Sequence, residues 1–246
     1  WYRLPRIFHW LAEHRWHWIG AAERRLDVVM PGIEFLWCPL LAWQPSGRTI
    51  FIPNFLAFLL LPGTAFSFFR CIGVRARTAW WWMWLLPAGA VYVFQAGSST
   101  NDAISAPLVL MSFTLALRAG RTGSAAAAGW ATLAIALATN QKQPIAALGL
   151  PWLLSLWPFV RRFLPRFWQE APVRTFAGVS GVLLGGLLVS MVPISILNQV
   201  KVGNWMGFPP AEQWFVPKHL GVSVVVAPIM LAVANLLPPV MPDAAR

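Results

Sequence analysis

Three ionisable residues stand beside or within apolar stretches: Asp102, Lys142 and Glu34. Asp102 closes the polar run Ala96-Gly97-Ser98-Ser99-Thr100-Asn101-Asp102, between two hydrophobic stretches. A carboxylate there can cap a helix start, because Ser, Thr, Asn and Asp accept backbone N–H groups. It can equally orient a substrate hydroxyl or amine, or take its proton; one turn can serve both purposes. Lys142 is the lone lysine of the 122–160 region, in Thr139-Asn140-Gln141-Lys142-Gln143-Pro144. It reads either as a solvated tight turn broken by Pro144 or as an anion-binding turn. Glu34, in Met30-Pro31-Gly32-Ile33-Glu34-Phe35, is a further candidate; its plainer reading is a first-turn acid favoured by the helix dipole. The opening segment adds Arg3, Arg6, Arg15, Arg24 and Arg25, with His9, His14 and His17. Arginine's planar fork suits phosphate oxygens. The alternative is an interfacial helix whose arginines snorkel to lipid headgroups.

These groups need positioning elements, and composition says what kind. Of 246 residues 58% are hydrophobic and 11% charged, against about 25% charged in a soluble domain. Such a chain has too few polar groups to cover a water-facing surface, whereas lipid accepts an apolar exterior. Sixteen tryptophans fit the same solvent, since Trp collects at membrane–water interfaces. A span needs about 20 apolar residues to cross roughly 30 Å. Stretches free of Asp, Glu, Lys and Arg run at 49–69, 78–101, 103–117, 122–141, 143–160, 175–200 and 219–242, giving seven candidate spans. The short 103–117 stretch is expected to borrow residues before Asp102. Pro31 to Pro45 carries Glu34 and reads as an interfacial or re-entrant helix. The fold class is therefore all-α, a polytopic transmembrane helix bundle. Residues 1–48 form an outer-face juxtamembrane loop with interfacial helices, and 49–246 form the bundle.

Charge assigns the sides. The net charge is +11, and short loops rich in Lys and Arg stay cytoplasmic. Three clusters follow alternate spans: Arg70, Arg75 and Arg77; Arg118 and Arg121; Arg161, Arg162, Arg166 and Arg174. The opposite, outer side then carries residues 1–48, the Ser98–Asp102 turn, the Asn140–Gln143 turn and the 198–218 loop. Positive-inside bias accounts for the basicity without nucleic acid as a partner. Cys38 and Cys71 supply neither a disulfide framework nor metal spacing, and no metal-ligating residues are singled out.

Five passages, in order, carry a family likeness: Tyr2-Arg3-Leu4-Pro5-Arg6 with His9-Trp10; Pro31-Gly32-Ile33-Glu34-Phe35-Leu36; Ser98-Ser99-Thr100-Asn101-Asp102; Ala138-Thr139-Asn140-Gln141-Lys142-Gln143; and, more weakly, Val202 to Pro210. Together they resemble the GT-C-fold glycosyltransferases of the protein-mannosyltransferase and aminoarabinose-transferase type, in their bacterial dolichyl-phosphate-mannose-transferase-like branch. The first resembles that family's juxtamembrane helix, the second the Pro-Gly-x-Glu element closing its large outer loop, the third and fourth its acidic turn and its Thr-Lys turn. The family's principal catalytic carboxylate falls a few residues before Trp1, so a piece of a longer protein is expected. Position 103 is Ala where related branches have Pro.

The resemblance implies an inverting enzyme of a bacterial inner membrane that moves a sugar from a polyprenyl-phosphate carrier to a protein, lipid or glycan acceptor at the outer face. Apart from that donor no cofactor is singled out, and the resemblance leaves a divalent metal open. On this reading Asp102 is catalytic, positioning the acceptor or the base. Tyr2, Arg3, Arg6, His9, Glu34, Asn101, Lys142 and Gln143 bind substrate, with Arg6, Lys142 and Arg3 on the lipid phosphate. A transporter or flippase, or a scaffold subunit for envelope polysaccharide, explains apolar spans and buried charge too.

Overall fold

The structure, a computed structural model, describes residues 2–85 and 87–207, and every regular element within them is a helix. In chain order these are α1 (Arg3–Ala12), α2 (Arg25–Val28), α3 (Gly32–Trp43), α4 (Ile52–Cys71), α5 (Ala76–Trp82), α6 (Ala90–Ala96), α7 (Asp102–Thr122), α8 (Ala125–Gln141), a 3-10 stretch (Gln143–Leu148), α9 (Gly149–Arg162), α10 (Leu164–Glu170), α11 (Pro172–Val189) and α12 (Val192–Val202). Among the described residues, four helical segments are long and apolar enough to cross a membrane: Ile52–Cys71, Asp102–Thr122, Gln143–Glu170 and Pro172–Val189.

Side-chain contacts fix the directions of these helices. Asn54, near the start of α4, donates to the carbonyls of Ser98 and Thr100 at 2.9 and 2.6 Å. Cys71, at the end of α4, reaches the Thr114 carbonyl at 3.6 Å, so α4 and α7 run the same way. Gly123 ends α7 in the left-handed region at φ +71°, a conformation glycine adopts without steric cost. Ser124 then caps α8 by accepting the Ala127 N–H at 3.2 Å, and the chain turns back along α7. The loop closes at the far end, where the Asn101 amide donates to the Gln141 carbonyl. Phe163 packs on Gly123 and Pro158 on Gly120, so α9 ends where α7 ends. Gly186 of α11 faces Thr132 and Ala136 of α8, and the Met191 N–H reaches Thr139 Oγ1 at 3.4 Å. The three arginine-rich connections therefore lie at one end of the bundle. The Ser98–Asp102 and Asn140–Gln143 turns lie at the other, as the charge pattern predicts.

The core is small on one side and large on the other. Ala116 and Ala119 of α7 and Ala127, Ala128 and Ala131 of α8 are buried against Trp152, Leu156 and Phe159 of α9. Small residues let helix backbones approach closely in lipid, where no hydrophobic drive pulls helices together. Outward, Leu183, Leu184, Leu187 and Leu188 of α11 are 51–74% exposed, and Trp80, Trp81 and Trp82 are exposed as well. Water-soluble monomers rarely carry contiguous apolar surface on this scale. Among the described residues this is an all-helical membrane protein.

Several expected boundaries move. The 78–101 stretch is two seven-residue helices, α5 and α6, each about 10 Å long. Pro87 and Gly89 stand between them, and proline both lacks an N–H and clashes with the preceding turn. The 103–117 stretch starts at Asp102 and gains its length at its far end, through Thr122. The 122–141 stretch is α8, 17 residues long. The 175–200 stretch breaks at Ser190 between α11 and α12, with Pro193 at the start of the second piece. The 219–242 stretch lies outside the described residues. At 12 residues, or about 18 Å, α3 is too short to cross, in keeping with its interfacial or re-entrant reading.

The opening segment sits on the bundle through Gly32, where an added Cβ would come within 2.6 Å of the Asn140 carbonyl oxygen and of Gln141 Nε2. Gly32→Ala should therefore lower stability by about 1–3 kcal/mol through overpacking. Gly63→Ala in α4, where a Cβ meets nothing within 4 Å, should be neutral or stabilising. Thermal unfolding of both variants in detergent checks the contrast, and equal midpoints would contradict it.

Candidate functional site

Helix α1 buries Arg3, Arg6, Ile7 and Trp10, the i, i+3, i+4, i+7 face of a helix. Two arginines thus point inward, together with two apolar residues. This differs from the snorkelling reading for Arg3 and Arg6, and the reason is a partner. Glu34, in the first turn of α3 and fully buried, accepts Arg3 Nη1 on both carboxylate oxygens at 2.9 and 2.8 Å. Arg6 Nη1 lies 3.3 Å from Glu34 Oε1 and donates to the Val29 carbonyl at 2.9 Å, while its Nη2 donates to the Arg25 carbonyl at 2.6 Å. Burial holds the Glu34 carboxyl above its ordinary value, with Arg3 and Arg6 opposing that rise. Burial likewise lowers Arg6, with Glu34 opposing. Glu34 is accordingly a buried counter-ion rather than only a first-turn acid. Arg15 and Arg25 pair on the surface with Glu13 and Glu23.

The second part of the site is where α7 begins and α8 ends. Asp102 is the first residue of α7, and the preceding Asn101 occupies the cap position without a side-chain capping bond. Asp102 forms an ion pair with Lys142, and its other oxygen accepts Gln95 Nε2 at 3.2 Å. Both partners are open to solvent, the Lys142 side chain 43% and the Asp102 side chain 32% exposed. The Lys142 amine is held below its ordinary value, first by burial and then by the nearby charge of Arg3. That second cause links the two clusters electrostatically. They are linked in packing too, since Ile104 joins the cluster of Ile7, Ile33, Trp37 and Leu41.

Of the residues expected from sequence, most converge here. Tyr2 is half-buried, with the guanidiniums of Arg3 and Arg25 over its ring at 5.1 and 5.6 Å to the centroid. Asn101 is buried and bonded to α8. Gln143 is partly buried, and its Nε2 has no hydrogen-bond partner. His9 is exposed, off the buried face of α1, and does not join them. The weaker fifth passage is described as far as Gly207, which packs on Val28 at φ +84°; Asn198 donates to the Val28 carbonyl at 3.0 Å.

Three residues escaped the sequence reading: Gln95, which holds Asp102; Asn54, which holds the turn before it; and Gln141, whose carbonyl anchors Asn101. Asn54 carried a usable signal, since a fully buried amide inside an apolar span is costly without partners. Gln141 Oε1, Asn140 Oδ1, Gln95 Oε1 and Arg6 Nε are also buried without partners. Hydrogen-bonding capacity is therefore left over at Gln95, which holds Asp102, and at Asn140 and Gln141, which precede Lys142 in sequence. Chemically, this arrangement can hold a hydroxyl on a carboxylate and an anion on an ammonium only one ion pair apart. Among the described residues no three His, Cys, Asp or Glu side chains come together as a metal site. No family model matches the chain, and no curated protein or solved structure matches it either.

Two outcomes are expected from this geometry. Glu34→Ala, which leaves two buried guanidiniums uncompensated, should cost about 3–5 kcal/mol in a detergent unfolding measurement. Lys142 should react with an amine-directed reagent, followed by peptide mass spectrometry, with a pH midpoint below lysine's usual value of about 10.4. A midpoint at or above that value would mean that pairing with Asp102 outweighs burial and Arg3.

Proposed function

We propose that this chain belongs to a membrane glycosyltransferase of the GT-C kind, using a polyprenyl-phosphate-linked sugar as donor. The observation that supports the reading is convergence: the first four passages that resemble that family lie together at the end of the bundle opposite the arginine-rich loops. In this proposal the fold is the seven-span bundle, the membrane is the bacterial inner membrane, and the site faces outward.

The chemistry follows from the parts. An acceptor hydroxyl or amine attacks the anomeric carbon while the bond from that carbon to the phosphate oxygen breaks. Polyprenyl phosphate leaves with the bonding electrons, and the acceptor's proton passes to a carboxylate base. Inversion follows from attack opposite the leaving group. Asp102 orients the acceptor or that base, and Lys142 stabilises the charge growing on the departing phosphate. Asn101 and Gln143 frame the turns that carry these two groups. Because Arg3 and Arg6 share the single carboxylate of Glu34, one positive charge of the trio is left unbalanced, and these arginines act on the phosphate through that net field.

Breaking the Asp102–Lys142 pair separates this reading from its rivals. In vesicles holding the full-length protein and a panel of polyprenyl-phosphate sugars, transfer releases free polyprenyl phosphate, whereas a flippase moves the intact lipid. Asp102→Asn should cut release by about 10²-fold or more while the unfolding midpoint stays close to that of the parent. Movement of intact lipid without release would favour a transporter, and indifference to the substitution would favour a scaffold.

A further inference from the structure

A second site lies at the arginine-rich end, far from Asp102. A groove of about 690 Å³ runs between α8, α9, α10 and α11, within the roughly 300–1,000 Å³ typical of ligand pockets. Its walls are Ala128, Gly129, Leu156, Phe159 and Val182, and its arginine-loop end is formed by Glu170, Arg174 and Thr175. The Thr175 hydroxyl is already spent on the Phe167 carbonyl at 2.8 Å, which leaves Arg174 and Glu170 as the charged groups of the lining.

We infer that this groove holds one acyl chain of an anionic phospholipid from the leaflet on the arginine side, with the headgroup phosphate on Arg174. The apolar walls suit a hydrocarbon chain, and the end where the headgroup would sit is basic. Arg161, Arg162, Arg166 and Arg174 stand against the single acid Glu170 across 161–174. All four arginines are exposed, and among the described residues none is paired with a carboxylate. Arg174 also lies in the first turn of α11, where the helix dipole adds to the attraction for an anion. Basic recesses between membrane helices on this side are suited to anionic headgroups.

Native mass spectrometry of the detergent-purified protein tests this inference. The ligands are phosphatidylglycerol, phosphatidylcholine with the same acyl chains, a polyprenyl phosphate and inorganic phosphate. Phosphatidylglycerol should be retained at one per chain and in preference to phosphatidylcholine. Arg174→Ala should reduce that preference about fivefold while chain binding persists. Gly178 lines the groove, and a Cβ there meets nothing within 4 Å. Gly178→Leu should therefore keep or raise the unfolding midpoint yet abolish retention of both lipids. Equal retention of the two phospholipids, retention unchanged in both variants, stronger retention of polyprenyl phosphate, or a phosphate-only effect would each overturn the assignment.

Discussion

A carboxylate with no access to water decides how the first forty residues are arranged. Glu34 can stay ionised at full burial only if positive charge surrounds it, and Arg3 and Arg6 supply that charge from a different helix. The same carboxylate offsets the burial of both arginines, and Arg6 is held by the Val29 and Arg25 carbonyls as well. The three residues therefore fasten α1 to α3, and the apolar cluster of Ile7, Ile33, Trp37 and Leu41 forms on the seam they create. Ile104 carries that seam onto α7. The opening segment is thus fixed against the end of the bundle that carries Asp102.

The exposed pair and the buried trio divide the electrostatic work. Arg3 belongs to the buried trio, yet its charge reaches Lys142 and makes the ammonium harder to keep. Asp102 compensates directly, and Gln95 holds the carboxylate from its other side. Asn54 steadies the turn from a third helix through two carbonyl contacts. Four helices and two turns thus contribute to an area organised around one ion pair. Such redundancy suits a group that must keep its place while a ligand competes for it.

Much of this was legible in the residues themselves. The sidedness of the turns followed from where Arg70, Arg118 and Arg161 fall, because charge in short loops has a preferred side. The placing of the Asp102 and Lys142 turns on one side followed from the count of apolar stretches between them, whereas their pairing did not. The Arg–Glu seam was not legible, since nothing in the spacing of Arg3, Arg6 and Glu34 says that three charged residues share one dry space. Helix breaks were visible only in part. Charge-free runs cannot reveal that Pro87 divides 78–101, whereas Pro107 and Pro158 sit inside α7 and α9 without ending them. Whether proline ends or merely bends a helix depends on neighbours that can take up the freed carbonyl, and those neighbours are tertiary.

The alanine face of α7 and α8 has an evolutionary corollary. Much of the bulk of that interface comes from Trp152, Leu156 and Phe159 on α9, and much of its closeness from alanines on the other two helices. Mutational tolerance is therefore one-way at each wall. Positions on α7 and α8 resist growth, because an added methylene has no void to enter. Positions on α9 resist shrinkage, because alanines opposite are too short to fill a hole. Drift in this interface must proceed by paired exchange, a larger residue on one wall accepted only with a smaller one facing it. Descendants of this sequence should carry that covariation between α7 and α9 whatever happens to their chemistry.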